Sequence, residues 1–497
     1  MPPFRRGIDA DKIIYIYRRM AGIDDKRIST LKAASLLSVG LLVVLLAGSL
    51  VFYRERMLFI DAPHNLFRII NDGHLAIEEH RYGSFISQIW VLLAARCHVP
   101  PAGLMAIYSA SFNAFFLVVG ALLAFGFRNH RLVVLLALYY VLFASATFYW
   151  PNNEVHQGIA WLLLAFGIWE YMQQRQAGVW VRILVFALSF ALAMSTHPLV
   201  VPVAIFLWVL LLLERRESRD KTTWWACSAI LLLLAVLKLS YGMRHGYDST
   251  KMEAVTSFHL HDIKGIISSP QLHFFVHGCW YNYWLLVVLF IAGSVALVKK
   301  RSWAQLIWTC TATIGYVMLV CIAFRDNANR FYIESEYMPL TVIGCAPFVL
   351  YVLPYMKKQQ AIVLLLLIFC VRLGYIAAAA QPFVRRVSIT ERVLAHMRQR
   401  QLHKAVITGV PASVADSLIM TWGAPVESLM LSQQDGDNPQ YTFIIASSGE
   451  AASYTQRGAD TLIGCWELRA PAQVNSHYFH PDTSRKYTAI EWGDLMK

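Results

Sequence analysis

The stretch LKAASLLSVGLLVVLLAGSLVFY, residues 31–53, carries one charged side chain, that of Lys32, in an otherwise apolar run. About 20 consecutive apolar residues are enough for a helix to cross a bilayer, and similar runs recur as far as residue 380. The chain of 497 residues is 57% hydrophobic and only 15% charged, whereas soluble domains carry roughly 25% charged residues. The sequence therefore predicts a polytopic α-helical membrane protein.

The apolar runs predict about eleven spans of roughly 20 residues each. They are residues 31–53, 103–125, 132–150, 156–173, 180–196, 198–214, 223–242, 281–298, 303–324, 338–356 and 361–380. The transmembrane domain is accordingly expected at 31–380. A cytoplasmic N-terminal segment, 1–30, precedes it, and a soluble segment, 381–497, which we call the tail, follows it.

The positive charges of the short loops give the predicted orientation. With the basic N-terminus in the cytoplasm, the inward loops contain FRNHR (127–131), KKR (299–301) and KKQQ (357–360). The outward stretches YWPNNEVH (149–156) and STHP (195–198) contain no Lys or Arg. This separation is what the positive-inside rule predicts. The net charge of +13 then belongs largely to cytoplasmic loops and does not indicate nucleic acid as a partner.

This orientation places the remaining polar segments outside, in the periplasm of a bacterium whose inner membrane holds the spans. The longest is a first outer loop at 54–102, whose apolar run at 86–97 is too short to span and is interpreted as interfacial. The tail, 381–497, alternates strand-like and helix-like stretches such as KAVIT (404–408) and SVADSLIMTW (413–422). It is predicted to be an extracytoplasmic α/β domain of ordinary size.

Ionisable residues are dense in the first outer loop, in MLFIDAPHNLFRIINDGHLAIEEHRYGSFI (57–86). Asp61 follows an apolar triplet soon after the first span, where partial desolvation raises the pKa of a carboxyl group and makes it a better base near neutral pH. The alternative is that Asp61 only caps a short helix. Glu78, Glu79 and His80 are candidates to bind substrate, or else form a solvated, salt-bridged helix face.

Three later outer positions are further candidates for substrate binding. Glu154 and His156 lie in the outward stretch 149–156, and His197 lies in the turn between two predicted spans. Residues of this kind can orient a sugar or an acceptor hydroxyl. His197 followed by Pro198 can equally be a turn at the membrane interface.

Two arginines in the predicted outer segment RDNANRFYIESEY (325–337) run against the charge rule. Arg325 and Arg330 are suited to a lipid phosphate or pyrophosphate because the guanidinium group binds phosphate oxygens bidentately. Tyr332, on the same stretch, is a third candidate to bind the donor phosphate. The alternative is an ion pair with a neighbouring carboxylate, namely Asp326, Glu334 or Glu336.

The layout resembles that of the GT-C superfamily of membrane glycosyltransferases. The matching pieces are the acid in FIDAPHN (59–65), the loop from HRYGSFISQIWVLLA (80–94) to the second span, and Arg330-Phe331-Tyr332 before a late span. The resemblance implies a polyprenyl-phosphate-linked sugar donor, an extracytoplasmic glycan, lipid or protein acceptor, and Asp61 as the catalytic base. Many relatives carry paired acids that can hold a divalent metal. Here Asp61 is followed by Ala62, which favours an inverting displacement that needs no metal or other cofactor.

Two other functions fit parts of the sequence. A membrane transporter or lipid flippase would share the polytopic layout, although the chain lacks the inverted repeat that many transporters show. A polysaccharide polymerase or ligase of another fold would centre its chemistry on a late outer loop. The predicted loop 243–280 has the histidines for this, which are His245, His259, His261, His273 and His277.

Overall fold

The computed structural model describes residues 25–151, 154–214, 220–244, 246–465 and 467–497. Its helices up to the tail are α1 (Asp25–Val51), α2 (Tyr53–Met57), α3 (Asp61–Asp72), α4 (Phe85–Arg96), α5 (Pro101–Ala121), α6 (His130–Leu142), α7 (Glu154–Gln174), α8 (Val179–Met194), α9 (Val200–Glu214), α10 (Lys221–Gly242), α11 (Gly246–Thr256), α12 (Ile263–Ile267), α13 (Pro270–Tyr281), α14 (Trp284–Lys299), α15 (Trp303–Ala323), α16 (Arg330–Tyr351) and α17 (Lys358–Ala378). Residues 1–24 of the predicted N-terminal segment lie outside the described residues.

The prediction of a helical polytopic protein is confirmed. Every predicted span overlaps a helix, and within the described ranges six helices are long and apolar enough to cross a membrane. The number rises to seven if α13 and α14, which meet at a bend of 81°, are counted as one span. Three shorter apolar helices, α6, α8 and α9, accompany them. The finer count from the sequence remains a prediction.

Helix α16 forms the centre of the bundle. It packs against α6, α14 and α15, and most of its residues are buried. Close approach to α14 depends on Gly293, where a Cβ atom would lie 2.8 Å from the backbone nitrogen of Phe348. The burial of α16 on all sides explains why its sequence is apolar or small around most of its circumference after the first two turns.

Arg372 of α17 ties that helix to the C-terminal end of α6. Its fully buried guanidinium donates to the carbonyl oxygens of Val141 at 2.9 Å and Ala144 at 2.8 Å, and to that of Asn282. The end of a helix leaves carbonyl groups without intrahelical partners and carries partial negative charge. Arg372 therefore provides hydrogen-bond donors for carbonyl groups at the end of α6, inside the bundle.

The tail begins with α18 (Gln381–Gln399), which continues the helical stretch Lys358–Gln399 begun by α17. Its remaining elements are β1 (Lys404–Thr408), α19 (Ala412–Leu418), α20 (Ala424–Gln434), β2 (Thr442–Ile445), α21 (Ser448–Thr455), β3 (Leu462–Ile463), β4 (Leu468–Arg469), β5 (Thr488–Glu491) and α22 (Trp492–Leu495). Strand β1 pairs in parallel with β2 and with β5, in the order β2-β1-β5, and β3 pairs with β4 antiparallel.

The tail packs against the first loop and shares a hydrophobic core with it. The rings of Phe67 and Phe479 lie 4.8 Å apart between centroids. At the edge of this contact, Arg469 forms an ion pair with Asp72 at 2.7 Å. The tail is thus joined to the bundle both through a helical stretch and through the loop that contains Asp61.

Candidate functional site

Asp61 is the first residue of α3 and is partly exposed as a residue. The indole Nε1 of Trp150 donates to Oδ2 of Asp61 at 2.8 Å. The pKa of Asp61 is raised to about 6, chiefly because the carboxyl group is buried. The charge of Glu154 raises this pKa further, whereas the hydrogen bond from Trp150 and the charge of Arg81 lower it. A carboxyl group of this pKa is mostly ionised at pH 7 and can still accept a proton effectively.

Trp150 connects Asp61 with Tyr332. The edge of the Tyr332 ring meets the indole of Trp150 at 4.8 Å between centroids, and Phe331 meets it at 5.2 Å. The structure therefore brings together two residues that the sequence assigns to different parts of the site. The sequence does not single out Trp150, although this residue lies in the stretch 149–156 that contains Glu154 and His156.

Arg81 binds two carboxylates and gathers three segments. Its Nη1 lies 3.0 Å from Oε2 of Glu154 at the start of α7, and its Nη2 lies 2.7 Å from Oδ1 of Asp248 on α11. The three side chains are only 11%, 14% and 8% exposed, respectively. The two carboxylates are balanced by Arg81 and by Lys238, whose charge also interacts with Asp248 and Glu154. The sequence predicted Glu154 but missed Arg81 and Asp248 as its partners.

The turn that contains His197 packs directly on this group. Lys238 of α10 donates from Nζ to the carbonyl oxygen of Thr196 at 3.2 Å. Nδ1 of His197 accepts a hydrogen bond from the backbone nitrogen of Leu199 at 3.1 Å. Burial, followed by the charges of Arg81 and Lys238, holds the pKa of His197 well below its ordinary value. His197 is therefore neutral at physiological pH.

Thr196 fills the space between two glycines. A Cβ atom at Gly83 would lie 2.2 Å from Cγ2 of Thr196, and one at Gly158 would lie 2.1 Å from its Oγ1. The turn after α8 thus lies so close to the first loop at Gly83 and to α7 at Gly158 that neither position has room for a Cβ atom. This packing fixes Arg81 above the start of α7.

His156 lies deeper, inside the bundle. Its Nδ1 is 2.7 Å from the hydroxyl oxygen of Tyr139, and its side chain is 5% exposed. It lines a small cavity of about 10 Å³ together with Tyr140, Thr147 and Met338, enough for about one water molecule. Glu154 and His156, two residues apart in sequence, therefore face different surroundings.

Glu78, Glu79 and His80 lie at the rim of the site. Glu78 forms an ion pair with Arg68. Glu79 accepts a hydrogen bond from the backbone nitrogen of Tyr247 at 3.0 Å, and the His80 ring meets that of Tyr241 at 5.0 Å. Both Glu79 and His80 have positive φ, at 48° and 54°. They join the first loop to the end of α10 and to the start of α11.

Arg330, at the start of α16, is held by Glu334 and Ser145. Its Nε lies 2.8 Å from Oε1 of Glu334, and its Nη2 donates to Oγ of Ser145 at 2.7 Å. The Arg330 side chain is still 40% exposed, whereas Glu334 is fully buried. The ion pair between Arg330 and Glu334, the alternative to phosphate binding, is thus present. Part of the Arg330 side chain nevertheless stays accessible.

Glu334 is the centre of a buried hydrogen-bond network. Besides Arg330, its carboxylate accepts from the backbone nitrogens of Ser145 at 2.8 Å and Thr147 at 2.9 Å, from the Ser145 hydroxyl, and from the hydroxyl of Tyr283 at 2.6 Å. The network joins α16 to the segment between α6 and α7 that ends at Trp150. It therefore links the position of Arg330 to that of the residue that binds Asp61.

Arg325 is exposed and rests against α12, where a Cβ atom at Gly265 would lie 2.8 Å from its Nη2. In the neighbouring segment, the rings of His259 and His261 stack at 5.4 Å and that of His277 stacks on Tyr281 at 4.4 Å. His245, another histidine of the predicted loop 243–280, lies outside the described residues. Nε2 of His261 also lies 3.3 Å from Oδ1 of Asp262.

No cluster of three or more His, Cys, Asp or Glu side chains suited to a metal ion occurs in the described part of the chain. Comparisons of the chain with family models, with curated proteins and with solved structures found no match.

Proposed function

We propose that the protein is a membrane glycosyltransferase that moves a sugar from a polyprenyl-phosphate donor to a hydroxyl group of an extracytoplasmic glycan, lipid or protein. The observation that carries the proposal is Asp61, a partly exposed residue whose carboxyl group has a raised pKa and accepts a hydrogen bond from Trp150, 89 residues away in sequence. In this account about eleven spans lie in a bacterial inner membrane, with the N-terminus in the cytoplasm and the tail as a periplasmic α/β domain.

Asp61 acts as the general base in a single displacement. The acceptor oxygen forms a bond to C1 of the sugar while the bond from C1 to the phosphate oxygen breaks, and the acceptor proton passes to Asp61. Polyprenyl phosphate leaves with the electron pair, and Asp61 later gives its proton to water. A positioned base of this kind contributes roughly 10²–10⁴-fold to a rate. The reaction needs one base and one site for the leaving phosphate.

Arg330 is the proposed partner of the leaving phosphate. Charge on the phosphate oxygen grows as the bond to C1 breaks, and a preoriented cation stabilises that charge. Glu334 and Ser145 orient the guanidinium, while its exposed 40% remains open to a ligand. Tyr332 packs against Trp150, the residue that binds Asp61, and Arg325 is a second candidate for the lipid phosphate.

The remaining candidates are proposed to hold the acceptor or the sugar. Glu154 forms the floor of the site with Arg81, and His197 is neutral and adjacent. Glu78, Glu79 and His80 form the rim, and His156 supports the floor from inside. Sugar hydroxyl groups can donate hydrogen bonds to carboxylates, and can donate to or accept from a neutral imidazole.

The proposed base predicts how the rate depends on pH. We expect kcat/KM for transfer to rise with pH through an inflection near pH 6, because only ionised Asp61 accepts the proton and its pKa is about 6. Transfer rates measured from about pH 5 to 8 report this inflection. A rate that does not change over this range would exclude Asp61 as the base.

Donor binding is predicted to depend on Arg330. We expect Arg330→Gln to weaken binding of a polyprenyl-phosphate sugar about 10–100-fold, since a charge-assisted hydrogen bond contributes roughly 1.5–3 kcal/mol. Thermal stabilisation of the protein by donor, titrated in lipid discs, measures the affinity. Arg301→Gln, on a residue between α14 and α15, serves as the matched control and should bind as the wild type does. Equal donor affinity in the Arg330 variant would remove this residue from the phosphate site.

The bend between α13 and α14 favours a second candidate, a transporter or flippase. A helix pair broken at 81° is typical of segments that line substrate sites in transporters. A flippase would move a polyprenyl-phosphate sugar between leaflets of a vesicle without breaking the bond to phosphate. Recovery of intact donor in the opposite leaflet, with no transfer or hydrolysis, would support this function instead.

A further inference from the structure

The residue before Asp61 has a backbone conformation that its residue type rarely adopts. Ile60 has φ 45° and ψ −103°, and its side chain is fully buried. A β-branched residue at positive φ is an outlier, and such a conformation persists only where surrounding contacts hold it. Because Ile60 immediately precedes α3, its conformation determines how Asp61 enters that helix.

The contacts that hold Ile60 come from the tail. Oε1 of Glu427, on α20, accepts a hydrogen bond from the backbone nitrogen of Ile60 at 2.9 Å. Arg386, on α18, donates from Nη2 to both carboxylate oxygens of Glu427 at 2.6 Å. Both side chains are 2% exposed. A buried ion pair of the tail is thus directed at one backbone amide of the first loop.

The same pair contacts the two residues before Ile60. Nε of Arg386 lies 3.4 Å from the carbonyl oxygen of Leu58, and its guanidinium lies 5.2 Å from the centre of the Phe59 ring. Opposite Ile60, a Cβ atom at Gly423 would lie 2.9 Å from the Cα atom of Ile60. Only glycine at 423 lets the tail approach the loop this closely. All three residues leading into Asp61 are therefore fixed from the tail.

We propose that the Glu427–Arg386 pair is a positioning device through which the tail holds the carboxylate of Asp61 in the geometry needed for proton transfer. A buried ion pair adds little net stability compared with apolar residues of similar volume. Arg386 also donates to the carbonyl oxygens of Leu418 and Met420 within the tail, while Glu427 carries the contact with the Ile60 amide. This inference rests on the proposed function. It makes the tail a part of the catalytic apparatus, acting through Ile60 and not through contact with the reacting atoms.

The test uses the full chain in lipid discs and three variants. Glu427→Gln removes the charge that holds Arg386. The double variant Arg386→Met/Glu427→Met removes both charges together with the acceptor for the Ile60 amide, and replacement of a buried pair by apolar residues usually preserves folding. Glu391→Gln is the matched control, because the Glu391–Arg54 pair at 2.7 Å also joins α18 to the first loop but is exposed and lies away from Ile60.

Two quantities are measured for each folded variant. We expect kcat for transfer to fall about 10–100-fold in the double variant, with donor KM changed less than about twofold, because a small displacement of a catalytic group has an effect of this size. We also expect the titration midpoint of Asp61, followed by infrared difference spectra against Asp61→Asn, to move about one pH unit toward that of an ordinary aspartate as water enters. Glu391→Gln should change neither quantity.

The two readouts separate the positioning role from the proposed function. A folded double variant with wild-type kcat and an unchanged Asp61 titration would overturn the positioning role. If the wild type transfers sugar from no donor, the proposed function fails, but a shifted Asp61 titration in the double variant would still support positioning. An equal shift in Glu391→Gln would overturn it, since the effect would then not be specific to Ile60.

Discussion

Replacing Asp61 by Asn is expected to lower the rate of sugar transfer by a factor of about 10²–10⁴, the usual contribution of a positioned base. The amide keeps the size of the side chain and an oxygen that can accept from Trp150, as Oδ2 of Asp61 does at 2.8 Å. It has no basic site for the acceptor proton. The measurement is kcat for transfer at pH 7.5 with saturating donor, and donor affinity should stay within about twofold because the base contributes mainly in the transition state.

The same substitution is expected to make the protein more stable at neutral pH. Folding raises the pKa of Asp61 from 3.8 to about 6, so the ionised carboxylate disfavours the folded state once the pH exceeds both values. At about 1.4 kcal/mol per pKa unit, the effect is about 3 kcal/mol at pH 7 and disappears below about pH 4. Free energies of unfolding for wild type and variant at pH 5 and pH 8 should therefore differ more at pH 8.

A matched control separates this effect from a general response to neutralising an acid. Asp326→Asn changes an exposed carboxylate in the loop before α16, and we expect its stability to match that of the wild type within about 0.5 kcal/mol. Retained transfer in Asp61→Asn would exclude Asp61 as the base. A loss of transfer accompanied by a loss of stability would show that Asp61 has a structural role instead.

Glu334→Leu is expected to destabilise the protein by more than about 4 kcal/mol. The leucine leaves the backbone nitrogens of Ser145 and Thr147 and the hydroxyl of Tyr283 buried without the acceptor that they use in the wild type. Each unsatisfied buried donor costs about 1–3 kcal/mol. The free energy of unfolding in a fixed detergent or lipid condition measures the loss, and Arg330 should at the same time lose its orientation.

Glu253→Leu provides the comparison, because Glu253 is an exposed residue of α11. That variant should stay within about 0.5 kcal/mol of the wild type, as surface substitutions usually do. A loss below about 1 kcal/mol in Glu334→Leu would mean that the network contributes little to the fold. The proposed orientation of Arg330 by Glu334 would then lose its basis.

The helices of the bundle could be located from sequence because membrane crossing depends on local composition. The run at 31–53 corresponds to α1, and every other predicted span also overlaps a helix. The bend of 81° between α13 and α14 could not be read in this way, since it depends on contacts with neighbouring helices. The central position of α16 could not be predicted either, because a helix that is apolar around its circumference can be a buried helix or any membrane span.

The site was accessible from the sequence only in part. Asp61, Glu154 and Arg330 could be singled out because charged residues beside apolar runs are conspicuous. Their partners were not, because Trp150 lies 89 residues from Asp61, Asp248 lies 167 from Arg81, and Ser145 lies 185 from Arg330. The strained backbone at Ile60 and its hydrogen bond with Glu427 leave no local pattern at all.

The most direct test of the proposed glycosyltransferase activity is transfer of radiolabel from a panel of polyprenyl-phosphate sugars. The purified protein is assayed in lipid discs, with Asp61→Asn run in parallel. The proposed function predicts transfer or slow hydrolysis of at least one donor by the wild type, with release of polyprenyl phosphate, and its loss in the variant. Donors that neither react nor raise the unfolding temperature of the folded wild type would contradict a glycosyltransferase that uses such donors.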